Sequence, residues 1–195
     1  MREINSSYVE GRDPVQIRLS GAGGQGLITA GIILAEAALL EGKNVVQTQS
    51  YGPEARLGAS KAEVIISTRK IAYPQVTKPD WLLCLSEDAF KKFSAHIAPE
   101  TVLVLDSTNV ESEAPKIQRC YKLPISEAAA KAGSKVVANV VSLGAMNMLA
   151  NWVQPENLKR AVAKRVPERF RPLNLKALDV GAELVKRLSL QSVEM

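Results

Sequence analysis

Cysteine, histidine and aromatic side chains are scarce in this chain. Two cysteines and one histidine occur among 195 residues, and no Cys-x-x-Cys spacing is present. A zinc knuckle or an iron–sulfur cluster needs several thiolate or imidazole ligands, so neither is expected from this chain alone. Cys84 lies inside the apolar run from Trp81 to Leu85 and reads as a small core residue, with no neighbouring cation to lower its pKa. His96, shortly before Pro99, reads as a surface or capping residue, and without a Gly-x-Ser-x-Gly elbow no Ser/His/Asp relay is supported. Aromatics make up 5% of the chain and form no stacking motif, which weighs against nucleic-acid binding despite a net charge of +5. The positive excess is local: Lys159, Arg160, Lys164, Arg165, Arg169 and Arg171 crowd one stretch that Glu156 and Glu168 dilute. That pattern suits a solvated helix face or a contact for an acidic partner protein. No long apolar run exists either. The stretch from Leu27 to Leu40 is broken by Glu36 and is shorter than the roughly 20 residues needed to cross a bilayer. The first residues lack the apolar core and cleavage site of a secretory signal, so a cytoplasmic location is expected.

What is present is a regular alternation of elements. Apolar residues make up 46% of the chain and charged ones 23%, enough to bury the core of one globular domain. We place that domain at 14–190, with 1–13 as a flexible N-terminal segment and 191–195 as a C-terminal tail. Strands are expected at Val15 to Ser20, Asn44 to Thr48, Ala62 to Ser67, Trp81 to Leu85, Val102 to Leu105 and Arg119 to Leu123. Helices are expected from Gly24 to Glu41 with Gly42 as the C-cap, and from Glu87 to Ala95 with Ser86 as the N-cap. Further helices are expected at Ser126 to Ala132, Asn139 to Trp152, Pro155 to Arg165 and Leu173 to Leu188. The first helix is apolar nearly all round and should be buried. The continuous apolar runs at 81–85 and 102–105 suit central parallel strands covered on both faces. The fold class is therefore α/β, a three-layer αβα arrangement around a mostly parallel, Rossmann-like sheet.

Gly21-Ala22-Gly23-Gly24-Gln25-Gly26 stands where the first strand turns into the first helix. Glycines let the backbone turn at positive φ and approach a ligand, and the first N–H groups of a helix favour an anion. The segment fits the dinucleotide pattern Gly-x-Gly-x-x-Gly, which normally has an acidic partner about 20 residues on to hold a ribose. The second strand, Asn44-Val-Val-Gln-Thr-Gln-Ser50, carries no carboxylate. The loop after it reads Gln49-Ser50-Tyr51-Gly52-Pro53-Glu54-Ala55-Arg56-Leu57-Gly58 and should emerge at the same carboxyl edge of the sheet. Gly52-Pro53 sets a turn and Tyr51 offers an aromatic face with a hydroxyl. Arg56 offers a planar cationic fork for a carboxylate or phosphate, which Glu54 could orient.

Together the two loops resemble the gamma subunit of 2-oxoacid:ferredoxin oxidoreductases, closest to the 2-oxoglutarate type. The resemblance rests on Gly21-Ala-Gly-Gly-Gln-Gly-Leu27, Ala30-Gly31-Ile-Ile-Leu-Ala-Glu36 and Ser50-Tyr-Gly-Pro-Glu-Ala-Arg56. It extends more weakly through Tyr73-Pro74, Lys78-Pro79-Asp80, Asn139 to Gly144 and Asn174-Leu-Lys-Ala-Leu178. The Tyr-Gly-Pro-Glu-Ala-Arg loop discriminates, because pyruvate and branched-chain types tend toward Phe-Gly-Pro-Glu with a second Arg, and the indolepyruvate type toward a His-Gly loop. Where the family continues Arg-Gly-Gly, this chain has Leu57-Gly58, and the Leu57 side chain restricts the backbone beside Arg56.

The resemblance implies a reaction in which thiamine diphosphate, held with Mg, adds to a 2-oxoacid and carbon dioxide leaves. Electrons then pass through iron–sulfur clusters to ferredoxin, and the acyl group ends on coenzyme A. No Gly-Asp-Gly thiamine motif and no cluster-binding cysteine set occur here, so those cofactors are expected on alpha and beta subunits, with a ferredoxin-like delta subunit as a further candidate partner and external ferredoxin as acceptor. The chain is not expected to act alone. Gly21, Gly23, Gly24, Gln25, Gly26, Tyr51, Gly52, Pro53, Glu54 and Arg56 are the expected contacts to substrate, coenzyme A or a partner subunit. Two other readings stay open: a free-standing dinucleotide-binding oxidoreductase, and a non-catalytic scaffold in the same complex.

Overall fold

A computed structural model describes residues 12–50, 58–95 and 97–191. The order of elements is β1 (Val15–Ala22), α1 (Leu27–Leu39), β2 (Asn44–Ser50), β3 (Ala59–Ser67), β4 (Trp81–Cys84) and α2 (Glu87–Ser94). There follow β5 (Val102–Asp106), β6 (Arg119–Leu123), α3 (Ile125–Ala132), α4 (Ala138–Ala150), α5 (Pro155–Arg165) and α6 (Arg171–Gln191). The six strands form one sheet in the order β2-β3-β1-β4-β5-β6. β1, β4, β5 and β6 pair in parallel, while β3 runs antiparallel to both β1 and β2. The sheet is thus mostly parallel, with one reversed strand inserted between β2 and β1.

Each element follows from its local sequence. β4 and β5 are buried throughout, as continuous apolar runs covered on both faces must be. The Ser86 hydroxyl caps α2 by accepting a hydrogen bond from the Ala89 N–H at 3.3 Å. α1 ends at Leu39 with Leu40, not the expected Gly42, as its C-cap; Gly42, at φ 71, closes the turn beyond, where its N–H and that of Lys43 bond back to Leu39 and Ala38. α1 begins at Leu27, three residues later than its apolar pattern suggests, because Gly24 and Gly26 sit at positive φ, outside helical geometry.

The two helical layers are unequal. On one face α1, α4, α5 and α6 bury the main core with Ile17, Leu19, Val64, Leu83 and Val104 of the sheet. On the other, α2 and the segments after β5 cover a smaller cluster of Leu82, Cys84, Phe90, Leu103, Leu105 and Val110. That thinner side also holds a half-buried ion cluster: Glu63 receives Arg18 at 2.7 Å and Lys61 at 2.8 Å. Arg18 donates in addition to the Val76 carbonyl, tying the 68–80 connection to the sheet. α5 opens beside the end of α1, where Glu41 accepts hydrogen bonds from the Gln154 N–H and the Asn157 side chain.

Candidate functional site

The turn after β1 is built by its own glutamine. Gln25 Oε1 accepts from the Ala22 N–H at 2.7 Å, and Gln25 Nε2 donates to the Leu85 carbonyl at 3.3 Å. A Cβ added to Gly21 would overlap Gln25 Oε1, so the small residue at 21 makes room for this side chain. Gly23 and Gly24 are exposed at the tip. Gly26 is the N-cap of α1 at φ 73 and ψ 22 and has no side chain with which to cap the first turn. The first N–H groups of a helix have no partner within it, which makes a helix start attractive to negative charge.

The position of the turn is set by topology. The connection leaving β1 goes through α1 on one face toward β2 and β3. The connection leaving β4 goes through α2 on the other face toward β5. The carboxyl ends of β1 and β4 are thus the switch point of the sheet, where open α/β folds keep a ligand crevice. Gln25 bridges that crevice from Ala22 to Leu85. At the end of β2, Gln47, Thr48 and Gln49 provide no carboxylate to hold a ribose. Gln47 instead turns its amide toward the Thr48 carbonyl and toward Gly31 on α1.

Reversed β3 begins at the same edge, directly beside the glycine turn. Gly21 pairs with Ser60 and Ala22 with Ala59. The Ser60 hydroxyl lies 3.4 Å from both the Gly21 and Ala22 carbonyls. Ser50 pairs with Lys61, so the start of β3 stands beside the glycine turn and the end of β2 lies one strand further out at the same edge. Tyr51, Gly52, Pro53, Glu54 and Arg56 themselves lie outside the described residues, as does His96.

Several polar residues at this edge were not singled out from sequence. Asp106, fully buried at the end of β5, accepts from the Thr108 N–H at 3.1 Å, Asn109 Nδ2 at 2.8 Å, and both the N–H and hydroxyl of Ser126. Asn109 Nδ2 also lies 3.3 Å from the Leu85 carbonyl, the group that receives Gln25. The glycine turn and the β5–α3 corner are thereby joined through one carbonyl oxygen. The local signal was Asp106-Ser-Thr-Asn109 after an apolar run, a turn-forming string whose partner Ser126 is far away in sequence. Asn139, 6% exposed in the first turn of α4, donates from Nδ2 to the Gly26 carbonyl at 2.9 Å.

Lys164 and Arg165 at the end of α5, and Arg169 just after it, are exposed. The Arg169 guanidinium covers the exposed Phe170 ring at 4.6 Å from its centroid. Cys84 takes no part in this edge chemistry: burial pushes its thiol up to about 12.

A glycine turn plugged by its own glutamine, on a mostly parallel sheet with one reversed strand, defines a Rossmann-like subunit whose ligand edge does not have the form of a dinucleotide site. The chain belongs to the pyruvate ferredoxin/flavodoxin oxidoreductase family, whose model matches residues 16–184. It is 45% identical over 177 residues to the 2-oxoglutarate synthase subunit KorC of Methanocaldococcus jannaschii, covering 89% of this chain and 95% of that one. The structure of a keto/oxoacid ferredoxin oxidoreductase gamma subunit from Geobacter sulfurreducens superimposes with a TM-score of 0.80 at 44% identity, covering 90% of this chain and 98% of that one. A 2-oxoglutarate:ferredoxin oxidoreductase from Magnetococcus marinus, solved with 2-oxoglutarate, coenzyme A and succinyl-CoA bound, superimposes with a TM-score of 0.81 at 27% identity. The match covers 90% of this chain and 32% of that longer one. The chain is an oxidoreductase subunit of the gamma type, and a gamma subunit implies other subunits. Among the described residues no helix is long and apolar enough to cross a membrane.

Proposed function

We propose that this chain is the gamma subunit of a complex that oxidatively decarboxylates 2-oxoglutarate. In that reaction the bond between the carboxylate and the keto carbon breaks and carbon dioxide leaves. The electron pair passes to ferredoxin, and the succinyl group forms a thioester with coenzyme A. The 2-oxoglutarate assignment is supported by the KorC relative and by the Tyr51 to Arg56 motif.

An iron–sulfur cluster of the usual kind takes four protein ligands, whereas this sequence has two cysteines, one of them a buried thiol in β4. We therefore assign the clusters, and thiamine diphosphate with its Mg, to alpha and beta subunits and a candidate ferredoxin-like delta subunit. External ferredoxin is the acceptor. The part left to this chain is to complete the reaction chamber.

The observation that carries this reading is the pairing of Gly21 with Ser60 and of Ala22 with Ala59, which sets the glycine turn beside the start of β3, the strand that follows 51–57. Gly21, Gly23, Gly24, Gln25 and Gly26 would form one half of a surface toward substrate, coenzyme A or a partner subunit. Tyr51, Gly52, Pro53, Glu54 and Arg56 would form the other. 2-Oxoglutarate and coenzyme A are both anionic, which suits the cationic fork of Arg56 and the positive end of α1.

The test is Arg56→Ala in the assembled complex. Turnover should fall, or the KM for 2-oxoglutarate or coenzyme A should rise; wild-type kinetics with intact assembly would remove the role. Calorimetry of the purified chain addresses the dinucleotide reading. No binding of NAD, NADP or FAD is expected, since Gln25 spans the crevice, and micromolar affinity would favour that alternative.

A further inference from the structure

The Gly26 carbonyl is held from two sides by elements far apart in sequence. It accepts the first hydrogen bond of α1, from the Ala30 N–H at 3.0 Å, and a second from Asn139 Nδ2 at 2.9 Å. A Cβ on Gly26 would stand 2.6 Å from that same Nδ2, so the close approach of the carboxamide and the left-handed backbone both require glycine. Asn139 is itself fixed. Its main-chain carbonyl accepts the Ser142 hydroxyl at 2.8 Å, and Val140, Val141 and Leu143 beside it are buried in the main core.

A peptide unit is planar, so a carbonyl and the N–H that follows it move together. Holding the Gly26 oxygen fixes the direction of the Leu27 N–H, the first donor of α1. Gln25 anchors the turn to β4, and Asn139 anchors its helical end to α4. We infer that Asn139 is a positioning residue for the reaction of the complex, acting through the Gly26–Leu27 peptide to aim the start of α1 at the anionic ligand of the carboxyl edge. This rests on the reading that the glycine turn faces the reacting ligands.

The experiment uses Asn139→Asp, which keeps the volume but turns an oxygen pair toward the Gly26 carbonyl. Asn139→Ser, a smaller neutral donor, is made in parallel in case the charge prevents folding. Amide hydrogen exchange across 24–30 is followed in the full chain, and kcat and KM for coenzyme A and for 2-oxoglutarate are measured separately in the assembled complex. Exchange at 24–30 should accelerate by roughly three- to tenfold, the worth of one hydrogen bond. KM for one of the two anions should rise by a similar factor, with kcat and assembly close to wild type. A purely structural residue would instead lower assembly or kcat without separating the two KM values. Unchanged exchange overturns the inference. So does faster exchange with wild-type kinetics while Arg56→Ala is impaired, because the edge then works without this anchor. Wild-type kinetics in both Arg56→Ala and the Asn139 variants would instead remove the reading of the edge itself.

Discussion

Gly144 of α4 and Gly181 of α6 let the two helices cross with their backbones in contact. A Cβ on Gly144 would land on the Leu178 carbonyl oxygen, and one on Gly181 would land on the Val141 carbonyl oxygen. Both obstacles are main-chain atoms, which cannot swing aside as the end of a side chain can. The crossing also sets the height of α4, and with it the position of Asn139 at the glycine turn.

Gly144→Ala and Gly181→Ala should therefore each destabilise the chain, although alanine is the better helix former. Overpacking of this kind costs about 1–3 kcal/mol. At this chain length each kcal/mol lowers Tm by roughly 2–4 °C. Thermal melts of both variants check this, and an unchanged Tm in both would show that the helices can part at no cost.

Acid should unfold the chain earlier than its charge balance alone suggests. Hydrogen bonds from Ser67 and Thr68, with Arg69 nearby, hold the Asp13 carboxyl down at about 2. Ser112 and the Glu111 N–H do the same for Glu87, also to about 2. A native carboxyl below its unfolded value binds fewer protons than the unfolded chain. Its stabilisation is complete above about pH 4.5 and is lost as pH falls toward about 2. Urea midpoints measured down the acid limb should fall steeply, and less steeply in Glu87→Gln. Parallel curves for the two proteins would refute the assignment to Glu87.

The two thiols should differ in reactivity. Cys84 is fully buried and its thiol is pushed up to about 12 by burial, whereas Cys120 is partly exposed, although burial raises its thiol as well. Only the thiolate attacks an alkylating reagent. In the native chain at neutral pH, Cys120 should react first, and Cys84 only after denaturant is added. Comparable rates at both sites in the native chain would contradict the burial of β4.

Much of the fold is legible from local pattern. The runs at 81–85 and 102–105 give the buried strands Trp81–Cys84 and Val102–Asp106, Ser86 caps α2, and α5 spans the predicted Pro155–Arg165. Side-chain period and turn chemistry act over a few residues, so the sequence records them directly. Boundaries shift where tertiary partners extend an element. β3 begins at Ala59, earlier than its apolar run, because Gly21 and Ala22 are there to pair with it.

The presence and order of the elements, the glycine turn and the lack of an acidic ribose partner were thus determined by the sequence itself. The tertiary structure decided that β3 is reversed, that Gln25 plugs the switch point against Leu85, that Asn139 holds Gly26, and that Gly144 and Gly181 share one crossing. The physical reason is range. Each of these contacts joins residues tens of positions apart, and the free energy that selects them arises only when the whole core closes and brings these groups within reach of one another.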